Sequence, residues 1–313
     1  MSTCSTVSQE LDEPLPGTAA TARTWLLLEQ PGPWGAKALT SSHLDPALGR
    51  TLEAASEGTG VRVALIRHPG RHADSGTPTV RQVYAAHTMP GRSWLHAATT
   101  CDPKELLDLD FAALGRGEHH TFDSALRAGP HTGDPLALVC TNGKRDRCCA
   151  LLGRPLAAEL AASGVEGVWE VTHLGGHRFS PTLLVLPYGY AYGRAEAHAV
   201  KEILQGVQEG RIVVEGCRGS SAWERPGQAA ELAVRTHARE YAADALSVVR
   251  TDGAAPRRQV TVAHADGRRW LVEVTQGASL PPRPESCGTS ALGSPARMEV
   301  SAVHELRTAA LAS

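Results

Sequence analysis

The segment Cys140-Thr-Asn-Gly-Lys-Arg-Asp-Arg-Cys-Cys149 carries three of the chain's seven cysteines, and His173-Leu-Gly-Gly-His177 follows shortly after it. Thiolate sulfur and imidazole nitrogen are the donors that zinc and iron centres select. The apolar run 136–139 leads straight into Cys140, so the first thiol leaves the end of a buried strand. Cys149 opens a helical segment, where free N–H groups and the helix dipole favour a thiolate. Gly143 permits a tight turn near a metal centre. Gly175 and Gly176 disfavour a helix between the two histidines and let the backbone approach a bulky group. Taken singly, each cysteine reads as a small buried apolar residue. Taken together, two cysteines and two histidines at strand ends read as one metal site.

The spacing leaves the metal open. Cys2His2 ligation suits zinc by residue type, but zinc cysteines usually stand about two to four positions apart. Cys140 and Cys149 are nine apart, which suits a larger two-iron centre. Cys148, adjacent to Cys149, is an alternative ligand, a repair thiol or a buried residue. A thiol oxidoreductase using Cys148 and Cys149 is a third possibility, and the absence of Cys-x-x-Cys argues against it. Cys4, Cys101, Cys217 and Cys287 have no ligand partner nearby in sequence, and His119, His120 and His198 lack a matching pattern.

The elements that must hold these side chains follow from the hydrophobic pattern. Leu136–Cys140, Val168–Val171 and Leu183–Leu186 read as buried strands. A helix with Leu152, Leu156 and Leu160 on one face follows the cysteines, with Pro155 near its first turn. A second helix runs from Arg194 to Gln208 along Val200, Ile203, Leu204 and Val207. Strand–helix–strand–strand–helix is the order of a compact α/β layer. Upstream, a looser version of that order is expected: strands at 25–29, 61–66, 81–87 and 93–98, and helices at 45–57 and 103–114. Downstream, Gln228–Val249 reads as one long helix, followed by a hairpin turning at Asp266-Gly267 and a last strand at 297–303. The expected division is a mobile tail (1–23), an N-terminal α/β unit (24–130), the metal-bearing unit (131–215) and a C-terminal extension (216–313).

Composition bounds the rest. The chain has 313 residues, 42% of them apolar, and a net charge of −2, which disfavours a nucleic-acid partner. No apolar run is long enough for a membrane span. The N-terminus lacks the basic start and apolar core of a signal peptide, so the expected setting is cytoplasmic, where clustered cysteines serve as metal ligands or redox groups. No pair of carboxylates stands in a setting suited to glycoside hydrolysis.

Cys140 to Cys149 with Arg145-Asp146 inside, His173-x-Gly-Gly-His177, and Leu-Val-x-Pro-x-Gly at 184–189 together resemble the sucrase/ferredoxin-like family. Pro16-Gly-Thr-Ala19, Trp25-Leu-Leu-Leu-Glu29 and Gly32-Pro-Trp-Gly-Ala-Lys37 resemble its N-terminal part, so the resemblance covers roughly 14–245. It implies a thioredoxin-like ferredoxin fold and a [2Fe–2S] cluster held by Cys140, Cys149, His173 and His177, with both histidines on one iron as in Rieske centres. Two neutral imidazoles in place of two thiolates make the site about two charges less negative. That raises its potential, as in Rieske centres at roughly −150 to +300 mV against about −400 mV for plant-type ferredoxins. The expected function is proton-coupled electron transfer with a redox partner such as a reductase, which Lys144, Arg145 and Arg147 could dock. The expected role is that of a non-catalytic carrier.

Overall fold

The computed structural model describes residues 3–70 and 79–306. Residues 4–10 form a short helix, α1 (Cys4–Glu10), capped by the Thr3 side chain. The segment expected to be a mobile tail therefore contains a docked helix. It lacks a periodic apolar stripe because it packs through the small residues Cys4, Ser5 and Ser8.

The first α/β unit runs β1 (Thr24–Glu29), α2 (Pro46–Ser56), β2 (Val61–Arg67), β3 (Arg81–His87) and β4 (Trp94–Thr100). A 3-10 turn (Pro103–Asp108), α3 (Phe111–Arg116), α4 (His120–Leu126) and the two-residue β5 (Gly129–Pro130) complete it. Asp45 caps α2, as the expected helix start requires. The helix expected over 103–114 is instead two pieces. Asp102 and Asp110 each accept backbone N–H groups, so each starts a new segment.

The second unit repeats the order: β6 (Leu136–Cys140), α5 (Arg147–Ala162), β7 (Val168–Val171), β8 (Leu183–Leu186), β9 (Tyr190–Tyr192) and α6 (Ala197–Gln208). Helix α5 begins at the Asp146 cap, so Pro155 lies inside it rather than in its first turn. Pairing repeats too. β1 is parallel to β2 and antiparallel to β3, which pairs β4. β6 is parallel to β7 and antiparallel to β8, which pairs β9. β2 and β7 pair antiparallel, and with β10 (Cys217–Ser220) the units share one ten-stranded sheet, β10-β9-β8-β6-β7-β2-β1-β3-β4-β5.

Period-two alternation assigns the faces. Leu26 and Leu28 face the core of the first unit, and Ala137 and Val139 that of the second. Trp25, Leu27, Leu136, Leu138, Cys140 and Trp169 share a third core that spans both units and includes Cys149. Tyr190 and Tyr192 are buried.

Beyond the shared sheet, α7 (Arg225–Ala238) packs on an antiparallel sheet of β11 (Leu246–Asp252), β12 (Arg257–His264), β13 (Arg269–Ala278) and β16 (Ala296–Leu306). The expected long helix stops at Ala238, because Arg239 turns left-handed and the β-branched run after Leu246 joins the sheet. Between β13 and β16, β14 (Arg283–Pro284) and β15 (Leu292–Gly293) pair as a minimal hairpin. Among the described residues, no helix is long and apolar enough to cross a membrane.

Candidate metal centre

Cys140 ends β6 with no solvent exposure. Its N–H donates to Thr182 O at 3.0 Å, and Thr141 N donates to Val171 O at 3.2 Å, so both neighbouring strands fix the start of the loop. The loop turns through Asn142, whose carbonyl accepts from Arg145 and Asp146. Asp146 then caps α5 by accepting Cys148 N–H at 3.0 Å. Cys149 therefore sits in the first turn of α5, fully buried.

The sulfurs of Cys140 and Cys149 and a ring nitrogen of His173 lie within 4.8 Å of one another, and these three residues can hold a metal ion. The hydrogen bond from Cys149 holds Cys140 well below the ordinary thiol range, while the same bond and burial push Cys149 up. One proton thus serves two sulfurs, an arrangement that a metal ion replaces directly.

His177 stands beside this trio rather than within it. Its ring centroid is 5.4 Å from that of His173. His177 Nε2 lies 2.7 Å from the carbonyl of Glu285, so Nε2 carries the proton and Nδ1 holds a free lone pair. The Nδ1 atoms of both His173 and His177 are buried without a hydrogen-bond partner. The Cys140, Cys149 and His173 trio therefore fits a bound metal ion, and the unpartnered Nδ1 atoms leave both imidazoles with a free lone pair.

The glycines between the histidines also make room for a buried side chain. Gly175 and Gly176 are left-handed, at φ +86° and +70°. A Cβ on Gly176 would overlap the guanidinium of Arg218, and one on Gly175 would meet only Ala20 at 3.8 Å. Arg218 is buried and donates to Thr18 Oγ1 and to Gly175 O, both at 3.1 Å, and to Thr18 O. What comes close to the glycine backbone is thus a buried arginine.

Cys148 and Cys149 point to different places. Cys148 Sγ lies 3.4 Å from Cys4 Sγ and 3.0 Å from Cys287 Sγ. Adjacent helical residues project about 100° apart, which separates the two thiols. The adjacent pair is therefore not a dithiol, and the choice between Cys148 and Cys149 beside Cys140 falls to Cys149. Cys4, Asp146, Cys148 and Cys287 form a second group able to hold a metal ion. Sequence spacing gave no hint of it, because Cys4 and Cys287 lie 283 positions apart. Lys144, Arg145 and Arg147 are exposed.

The N-terminal segment and the connection between β13 and β16 meet at the histidine turn. Ser5 Oγ donates to Ser180 O at 2.8 Å, and Glu13 pairs with Arg178 at 2.7 Å and with Arg283 at 2.8 Å. Burial opposes the charge on Glu13, but Arg283 and Arg178 hold its carboxyl below the usual range.

The sucrase/ferredoxin-like family model matches residues 15–219. The chain belongs to that family. The matched span contains both α/β units and the Cys140, Cys149, His173 and His177 positions; the expected family membership and the α/β fold both hold. Cys4 and Cys287 fall outside the family match. Comparison with curated proteins and with solved structures found no match.

Proposed function

We propose that the protein is a one-electron carrier whose cofactor is a [2Fe–2S] cluster held by Cys140, Cys149, His173 and His177. The observation that supports the reading is the Cys140, Cys149 and His173 trio, whose donor atoms lie within 4.8 Å of one another, with the His177 ring centroid 5.4 Å from that of His173 and both Nδ1 atoms buried without a partner. A bound [2Fe–2S] centre supplies reversible one-electron exchange. The chain's residues set its terms. Cys140 and Cys149 bring two negative charges to a fully buried position. The histidines bring none and are only partly buried. Exposed Lys144, Arg145 and Arg147 stand on the loop between the cysteines and suit the docking of an acidic reductase.

Proton coupling has a stated atom. His177 Nε2–H donates to Glu285 O, and the Asp146 carboxylate lies 3.5 Å away. Loss of that proton on oxidation makes the potential fall as pH rises, and a flat potential from acid to alkaline pH would remove this coupling.

The test is electron paramagnetic resonance on anaerobically purified, reduced protein. A rhombic signal of low average g is expected, lost in Cys140→Ser, Cys149→Ser, His173→Ala and His177→Ala. A colourless protein whose zinc disappears with Cys140→Ser would overturn the iron assignment in favour of zinc at the same ligands.

A further inference from the structure

We infer that Cys4, Cys148 and Cys287, with the Asp146 carboxylate as fourth donor, form a second metal site that takes a single zinc-class ion. The inference does not depend on the identity of the group at the first site.

The geometry is that of one small ion. The three Sγ–Sγ distances are 3.0 Å (Cys148–Cys287), 3.4 Å (Cys4–Cys148) and 3.5 Å (Cys4–Cys287). Tetrahedral zinc with sulfur at about 2.3 Å places its sulfurs roughly 3.8 Å apart, so an outward shift of a few tenths of an ångström seats the ion. The triangle is too small to enclose several irons. It also does not fit a disulfide, since a bonded pair stands at about 2.05 Å and would leave an odd third thiol against it. Asp146 Oδ1 lies 3.9 Å from Cys4 Sγ, and all four donor atoms fall within 4.8 Å of one another.

The supporting shell is built. Asp146 Oδ2 accepts from Ser286 Oγ at 2.8 Å and from Cys287 N at 3.0 Å, which fixes the carboxylate and the Cys287 loop together. Ser180 Oγ donates to Cys148 O at 3.1 Å. Cys4 and Cys148 are buried, Cys148 fully. Thiolate-rich donor sets in tetrahedral array select zinc among common divalent ions. The three cysteines come from α1, α5 and the β14–β15 hairpin, so one ion would tie the N-terminal helix and that hairpin to the helix that carries Cys149.

The experiment measures zinc and iron in full-length protein purified without chelator. About one zinc per chain is expected at this site, falling to near zero in Cys4→Ser and in Cys287→Ser, and unchanged in the exposed-thiol control Cys101→Ser. Cys140→Ser is expected to keep this zinc. In case a serine variant folds poorly, the unaltered protein supplies a second reading. Cys4 and Cys287 should resist iodoacetamide until a chelator is added, and cobalt substitution should give tetrahedral cobalt–thiolate bands. Free, alkylatable Cys4, Cys148 and Cys287 without zinc, or a disulfide between any two of them, would overturn the inference. Zinc that follows Cys140 and not Cys4 would overturn it along with the iron assignment. Zinc that follows Cys4 and Cys287 in a protein without iron supports this site and sinks only the iron assignment.

Discussion

Replacing Gly176 by alanine separates two costs that the sequence alone merges. Both glycines between the histidines are left-handed, so an alanine at either position costs about 1–2 kcal/mol in backbone strain. At Gly175 the added methyl has room, with Ala20 at 3.8 Å, so little else is lost. At Gly176 the methyl displaces the Arg218 guanidinium, which is 1% exposed and donates to Thr18 Oγ1, Thr18 O and Gly175 O. Losing one hydrogen bond from a charged group costs about 1.5–3 kcal/mol. Gly176→Ala should therefore destabilise by about 3–5 kcal/mol and Gly175→Ala by about 1–2 kcal/mol. Urea unfolding of the two variants side by side gives the difference, with metal content measured on the same samples. Equal midpoints for the two would refute the role given to Arg218 and leave only backbone strain.

Cys149→Ser should abolish visible absorbance from the Cys140 site, whereas Cys148→Ser should keep it; loss of colour in both would mean the two thiols share one centre. His87 sits buried with Nδ1 against Thr24 Oγ1 at 2.9 Å and Nε2 unpartnered, and burial, then Arg92 and Arg23, press it down to about 4. Its folded value lies below the unfolded one of about 6.5, so the unfolded chain binds the extra proton. Stability is full above pH 6.5 and falls by about 3 kcal/mol as pH drops to 4. His87→Gln should flatten that part of a urea-midpoint profile, and an unchanged slope would exclude His87 as its source. Arg67 pairs with Glu170 at 2.7 Å, both buried, and Thr141 Oγ1 donates to the same oxygen at 2.8 Å. Arg67→Met should cost about 3–5 kcal/mol in urea unfolding, and adding Glu170→Met should recover part of it, because the stranded charge is the main penalty. A double variant worse than the sum of the singles would contradict that account.

Local chemistry was readable where it recorded local structure. Leu136–Cys140 and Leu183–Leu186 are uniformly apolar because the sheet buries both their faces, and Asp266-Gly267 marks a real hairpin turn. Cys140, Cys149 and His173 were legible as a group because each stands at the end of an element. What was hidden depends on distant residues. Gln228 to Val249 is Ala-rich enough to read as one helix, and neither the left-handed turn at Arg239 that ends α7 nor the packing of Leu246 and Val248 into the second sheet is marked by a glycine or proline. Cys4 and Cys287 look like stray thiols because no spacing rule joins residues 283 positions apart. The pairing shared by the two α/β units is likewise a fact of hydrogen bonding, since Leu28-Glu29 at the end of β1 bears no likeness to Val139-Cys140 at the end of β6.

The contact between His177 and the connection from β13 to β16 also bears on biogenesis. The four residues assigned to the first centre have all been polymerised once residue 177 is made, but Glu285, whose carbonyl fixes the His177 tautomer, comes later. At about 5–20 residues per second, roughly 5 to 20 s pass between those points on the ribosome. During that interval the His173–His177 turn lacks the segment that supplies the Glu285 carbonyl to His177. A chain cut short before Glu285 would keep Cys140, Cys149, His173 and His177 while losing the carbonyl that accepts from His177 Nε2.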